Sequence, residues 1–341
     1  MTRIISFLTA FFLLSPATAK PFVDAAGRTV EIPATVNRVL AAGPPAQVMI
    51  YVLAPEKLVG WVREPTAAEK EFLAPPARDL ATIGRLTGRG NTANLETILA
   101  AKADLIVDVG TVDDTFASLA DRIQQQTGVP YILVDGRFPN SAASLRTLGA
   151  VLGVEARGDE LARDAEATFA ELAKRAALPA DKRTRVYYGR GPKGLETGMG
   201  GSINAELIEV AGGINVAAAA GNGGLTTVSL EQVLSWKPDV ILALDPAFQA
   251  GVLQDPLWAS VPAVKNKKVF RAPAVPFGWF DFPPGINRLI GLRWLDAVLY
   301  PDRASGDLRK MTRDFYSRYY HVALTDAQLD TLLRDALKPP A

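Results

Sequence analysis

The chain has 341 residues, with 37 Lys and Arg against 36 Asp and Glu, one histidine and no cysteine. The near-neutral balance and the lack of a basic run exclude a nucleic-acid footprint. The lack of cysteine excludes disulfides, thiolate metal sites, cysteine nucleophiles and lipid attachment through an N-terminal cysteine.

Residues 1–19 read as a cleavable export leader. Arg3 supplies the positive start, Ile4 to Leu14 the apolar core, and Ala17-Thr18-Ala19 the small-residue cleavage site. The mature chain is expected to begin near Lys20 and to work in the periplasm. With the leader and Arg3 gone, basic and acidic residues balance. No later stretch is long and apolar enough to span a bilayer. A chain of this length usually buries two cores rather than one.

From residue 20 to 140, strand and helix alternate as in a mostly parallel sheet. Strands are expected at Arg38–Ala42, Leu58–Val62, Ala81–Ile83, Leu105–Val109 and Tyr131–Val134. Helices are expected at Ala46–Leu53, Asn94–Ala101 and Asp113–Gln126. From 141 to 180 strands stop. Ser144–Leu152 and Asp159–Ala177 read as helices broken around Gly153 and Gly158. The second carries an apolar stripe at Leu161, Ala165, Phe169, Leu172 and Ala176. Alternation resumes from 181 to 341, with strands at Arg185–Tyr188, Val240–Leu244 and Val269–Phe270. A Pro- and aromatic-rich loop follows, and then C-terminal helices.

One unit occurs twice. Asn94-Leu95-Glu96 to Asp104-Leu105-Ile106-Val107 aligns without gaps on Ser229-Leu230-Glu231 to Asp239-Val240-Ile241-Leu242. Each copy has a capping residue, a short helix, a Lys-x-Asp turn and a buried strand. The copies lie too far apart for a solenoid. They imply two α/β, Rossmann-like lobes joined by a long helix at 141–180, with a ligand cleft between them.

Open α/β sheets bind ligands at the carboxyl ends of their strands. That rule nominates Pro45, Trp61, Arg63 and Arg85 in lobe one, and Tyr187, Tyr188, Arg190, Trp279 and Phe280 in lobe two. Arginine forks suit carboxylate, catecholate or oxyanion oxygens, and rings suit flat chelator faces. Gly198-Met199-Gly200-Gly201-Ser202 reads as a tight turn, with an anion cradle at a helix start as the alternative. His321 lies far in sequence from these loops, so no histidine cluster for a bare divalent ion exists. No nucleophile elbow, zinc-protease pair or Cys/His arrangement is present. An enzyme is therefore not expected; a hydrolase using Asp108 and Asp245 stays open, because carboxylate pairs need no motif. No cofactor or resident metal is called for.

Val23-Asp24-Ala25-Ala26-Gly27-Arg28, Val36-Asn37-Arg38-Val39, Gly128-Val129-Pro130, Gly212-Gly213-Ile214-Asn215 and the two repeat copies occur in an order that resembles the class III (cluster A) periplasmic binding proteins of ABC importers. These include the TroA-like, ferric-siderophore and cobalamin receptors. The resemblance implies two lobes that close little, and a role in delivering a ligand to a permease dimer in the inner membrane. It also implies docking through one exposed Glu per lobe, which matches Glu96 and Glu231. A carboxylate in a first helical turn also complements the macrodipole, contributing ~0.3–1 kcal/mol whatever its other role. The expected ligand is a metal chelate, foremost a ferric siderophore. The alternatives are molybdate or tungstate, haem held by Tyr187 or Tyr188, and cobalamin. The receptor is expected to be a monomer.

Overall fold

A computed structural model describes residues 19–88, 92–304 and 306–337; the leader up to Thr18 lies outside these. The described chain opens as an antiparallel hairpin, β1 (Ala19–Val23) and β2 (Thr29–Pro33). Its turn needs a left-handed residue, and Gly27 supplies φ +76°. Buried Asp24 accepts N–H bonds from Ala26, Arg28 and Leu133 and pairs with Arg28 at 2.7 Å, which ties the hairpin to lobe one.

Lobe one follows as β3 (Val39–Ala41), α1 (Pro44–Leu53), the single turns α2 (Ala67–Lys70) and α3 (Pro75–Arg78), α4 (Leu95–Ala100), β4 (Leu105–Gly110), α5 (Asp114–Thr127) and β5 (Tyr131–Asp135). Its parallel sheet runs β3-β4-β5. The strands expected at 58–62 and 81–83 shrink to single bridges, Val39 to Leu58 and Trp61 to Thr82. Gly60 sets the approach there, since a Cβ on it would lie 2.5 Å from the Ala81 carbonyl oxygen. Helix α1 starts two residues earlier than expected because Pro44 and Pro45 suit its first turn, where no N–H is needed.

Between the lobes run α6 (Ser141–Leu152) and α7 (Glu155–Ala176). Only Gly153 breaks this segment, capping α6 at φ +69°. Gly158, expected as a second break, lies inside α7. A Cβ there would meet the Leu145 carbonyl oxygen at 2.8 Å and the Gly149 Cα at 3.1 Å. The residue is thus small because two helices cross, not because a helix ends. Leu161, Ala165 and Leu172 are buried, and Phe169 packs edge-on against Phe138 with centroids 5.1 Å apart.

Lobe two comprises β6 (Arg185–Gly189), β7 (Glu196–Gly198), α8 (Glu206–Val210), β8 (Ile214–Asn215), β9 (Leu225–Thr227), α9 (Leu230–Trp236), β10 (Val240–Ala243), α10 (Pro246–Val252), α11 (Pro262–Lys265), β11 (Val269–Phe270) and α12 (Arg288–Leu299). Its parallel sheet runs β11-β10-β6-β8, separate from that of lobe one; β7 and β9 form a small antiparallel pair. The chain ends in α13 (Leu308–Tyr320) and α14 (Asp326–Leu333).

The two repeat copies share one turn geometry and the same kinds of bond. Lys102 and Lys237 both adopt φ +47°. Asp104 accepts the backbone N–H of Arg38 at 2.9 Å, and Asp239 that of Arg185 at 3.0 Å. Each arginine turns back on the last carbonyls of its helix, Arg38 on Ala101 and Lys102, Arg185 on Trp236. The Lys-x-Asp turn is therefore a latch between a helix end and the neighbouring strand, which satisfies orphan helix carbonyls.

The largest apolar core is continuous across the lobes, joining Val48 and Val107 of lobe one to Leu161 of α7, Leu242 of lobe two and Tyr316 of α13. The C-terminal helices also reach back onto lobe one. Tyr51 donates its hydroxyl to the Tyr320 carbonyl at 2.6 Å, and Gln328 bonds Glu71 at 3.0 Å.

Candidate ligand cleft

A cavity of about 760 Å³ opens between the lobes. Lobe one supplies the start of α1 at Pro44 and Pro45, the end of β4 at Asp108–Gly110, and Arg63, Arg85 and Thr87. Lobe two supplies residues that follow its strands: Arg190 after β6, Asp245 after β10, Arg271 after β11, and the 278–284 loop. All three sit at carboxyl ends, as the sheet topology requires.

Pro45, Arg63, Arg85, Arg190, Trp279 and Phe280 reach the wall of this cavity. Trp61, Tyr187 and Tyr188 do not. Trp61 is 1% exposed and donates its indole N–H to the Ala77 carbonyl at 2.8 Å. Successive residues of β6 face opposite sides of a sheet that is covered on both faces, so both tyrosines are buried. Tyr187 donates its hydroxyl to the Gly194 carbonyl, and Tyr188 to Asp281 Oδ2, each at 2.7 Å. Neither oxygen faces the cavity, which removes the iron ligands expected for haem. The Trp279 ring is also turned inward, its N–H placed on the Tyr316 hydroxyl at 3.3 Å.

Most of the wall's charge is already matched. Arg63 clasps Glu69 through two bonds of 2.5 and 2.8 Å. Arg190 pairs with Glu196 at 3.1 Å and with Asp281. Asp281 also accepts from Asn204 at 3.1 Å and from the Phe282 N–H at 2.8 Å. Beneath it, Arg288 pairs with Glu206 at 3.0 Å, and Glu206 accepts the N–H of Phe138. Asp108 has no such cation: it accepts hydroxyls from Thr87 at 3.1 Å and Tyr131 at 3.2 Å. Burial holds its carboxyl above the ordinary aspartate range. Asp245 caps α10 through the Ala247 and Phe248 N–H groups, a structural task for one member of the proposed hydrolytic pair.

Among the wall residues that escaped the sequence reading, Arg271 and Phe282 matter most. Arg271 immediately follows β11, and the strand-end rule, applied to that short strand, would have found it. It donates Nε–H to Gln249 at 2.9 Å, and no carboxylate among the described residues pairs with it. Phe282 ends the aromatic run and carried no separate signal. The Gly198–Ser202 segment ends β7 and then turns, with Gly201 at φ +73° and helix α8 starting only at Glu206. His321 lies off the cavity against Tyr51, whose carbonyl is 3.2 Å from its Nε2; burial pulls its pKa down. Glu96 and Glu231 are exposed in the first turns of α4 and α9.

Residues 63–276 match the family described as periplasmic binding protein. The chain is 30% identical to the molybdate-binding protein MolA of Haemophilus influenzae, over 94% of this chain and 96% of that one.

The chain belongs to the periplasmic binding protein family.

It is a solute-binding protein of an ABC importer, not an enzyme. An ABC transporter solute-binding protein from Sulfurospirillum deleyianum superposes with a TM-score of 0.83 at 32% identity, covering 92% of this chain and 99% of that one. The Haemophilus influenzae MolA structure with molybdate bound gives a TM-score of 0.72 at 28% identity, covering 90% and 99%. Among the described residues no helix of this family member is long and apolar enough to cross a membrane.

Proposed function

We propose that the cleft receives an oxyanion of the molybdate and tungstate kind, which the chain hands to its permease. Arg271 carries this reading: a guanidinium at a strand end on the cavity wall, engaged by Gln249 and, among the described residues, by no carboxylate. An anion between the lobes would complete it with charge-assisted bonds. A relative that matches over nearly the whole chain is named for binding molybdate, which supports the same choice. Titration calorimetry with molybdate, tungstate, sulfate and a ferric catecholate tests it. Molybdate and tungstate are expected to bind, and Arg271→Gln to weaken them by roughly 10- to 100-fold, the worth of a hydrogen bond to a charged group. At a thousandfold excess over Kd, bound ligand should stabilise the fold by ~4 kcal/mol. Removing His321 should leave affinity unchanged. Tight binding of free zinc or manganese alone would overturn the reading.

One observation favours an anionic metal chelate, such as a ferric siderophore, as a second reading. The cavity of about 760 Å³ has the size of pockets for multi-ring ligands rather than for a five-atom ion, and Phe116 is on its wall. Binding of the ferric catecholate without binding of molybdate would select it.

Glu96 and Glu231 are proposed as the permease contacts, one per lobe, in a receptor that acts as a monomer. Reversing both to Lys turns attraction to permease arginines into repulsion. Uptake is then expected to cease with ligand affinity intact. The leader is proposed to be cleaved before Lys20, which the mass of the exported protein reports.

A further inference from the structure

We propose that Phe282 is the side chain that caps the ligand: its ring, held over the cleft by a left-handed backbone, is the surface a bound ligand covers. This rests on the cleft being the anion site and adds a specificity-determining residue to it. Six large apolar side chains among the described residues are strongly exposed, and of these only Phe282, at 60%, lines the cavity. An exposed aromatic that joins no core cluster is not there to fill space.

Its backbone makes the same point. Phe282 has φ +59°, a region that bulky residues avoid. The surroundings hold it there from both sides. Its N–H donates to Asp281 Oδ1 at 2.8 Å, and its carbonyl accepts the Gly278 N–H at 3.0 Å. Gly278 has no room for a Cβ, which would lie 1.8 Å from the Asp281 carbonyl oxygen. Asp281 is itself fixed by Tyr188, Arg190 and Asn204. Strain maintained by so complete a framework, at the mouth of a ligand cavity, marks a functional position. Beside the ring lies Arg190, its guanidinium carbon 4.9 Å from the centroid. Arg190, its charge taken up by Glu196 and Asp281, backs the ring, and the exposed remainder of Phe282 gives the cleft a flat apolar face. That surface suits a ligand with a carbon face, and over a bare oxyanion it excludes water.

Phe282→Gly removes the ring and accepts the backbone angle; Phe282→Leu keeps the strain and loses the flat face. Kd is measured by calorimetry with sodium molybdate and with a ferric catecholate, and Tm without ligand. Phe282→Gly should weaken whichever probe the unmodified chain binds by roughly three- to tenfold, the worth of an aromatic contact. Its ligand-free Tm should be unchanged or higher, and Phe282→Leu should fall between in affinity. A larger loss for the catecholate than for molybdate assigns the ring to an organic face; the reverse assigns it to water exclusion. Unchanged affinity in Phe282→Gly overturns the inference alone. So does a Tm lowered by several degrees, which would make the ring structural. If the unmodified chain binds neither probe, the anion reading falls and this inference with it.

Discussion

Asp108 and Asp281 face the same cavity from opposite lobes, and they are kept there by different means. Asp281 is 2% exposed and surrounded by donors: the Arg190 guanidinium, the Tyr188 hydroxyl, the Asn204 amide and a backbone N–H. Asp108 is similarly buried and receives two hydroxyls but no cation. A carboxylate beside the proposed anion site must be neutralised by a partner or by a proton. Lobe two uses the partner, which makes its wall fixed. Lobe one relies on burial, which raises the Asp108 pKa and leaves a proton as the means of neutralising it.

The sharpest way to break this contrast is Asp281→Ala. It leaves Arg190 buried with one partner fewer, and a loss of about 3–5 kcal/mol in urea unfolding at neutral pH is expected. A loss below 1 kcal/mol would show that the lobe-two wall is as loosely held as that of lobe one.

Asp108→Asn should act in the opposite direction and by less. Because the folded pKa is raised, the folded state keeps its proton longer than the unfolded one. Stability is therefore lost as pH rises from the unfolded value, ~3.9, through the folded one. The asparagine variant should be more stable than the parent at neutral pH, and that gain should vanish towards pH ~4. Oxyanion affinity of the parent should rise as pH falls through the raised folded pKa of Asp108, and flatten in the variant. A parent profile as flat as the variant's would remove the contrast.

The repeat tips provide the control, since there the lobes share one turn geometry and differ in how many backbone bonds its Asp accepts. Asp104 accepts backbone N–H groups from both Asn37 and Arg38, while among the described residues Asp239 accepts that of Arg185 alone. Alanine should cost about 1.5–3 kcal/mol at Asp104 and less at Asp239, measured by chemical unfolding. Smallest of all, Lys102→Gly and Lys237→Gly should each gain up to about 1 kcal/mol, the relief of φ +47° less glycine's entropy cost. Unequal gains would mean that the latches are not equivalent.

What was legible in the sequence was whatever repeats or alternates. The duplicated latch, the strands β4 and β10 and the helix stripe through Leu161 and Leu172 depend on local pattern, and they stand where the pattern puts them. Direction within an element was legible only in part. Tyr187 and Tyr188 were nominated by position at a strand end, yet both faces of β6 are covered and both hydroxyls end on buried partners. Gly158 illustrates the same limit: a glycine reads alike whether it ends a helix or admits a crossing one. The pairing of Arg190 with Asp281 spans 91 residues, and nothing local announces it. The charge left over at Arg271 becomes visible only after such pairs have been subtracted.

The core shared by both lobes, and the tail that clasps Tyr51 from Tyr320, bear on how cargo leaves. With α7 as one tether and the C-terminal helices as another, the halves resist swinging apart on a single hinge. A resting shape near the loaded one is the expected consequence, and it would forfeit little affinity to open forms. Cargo in such a receptor would have a residence time set by the wall itself, and unloading would fall to a permease that forces the halves apart against their common interior.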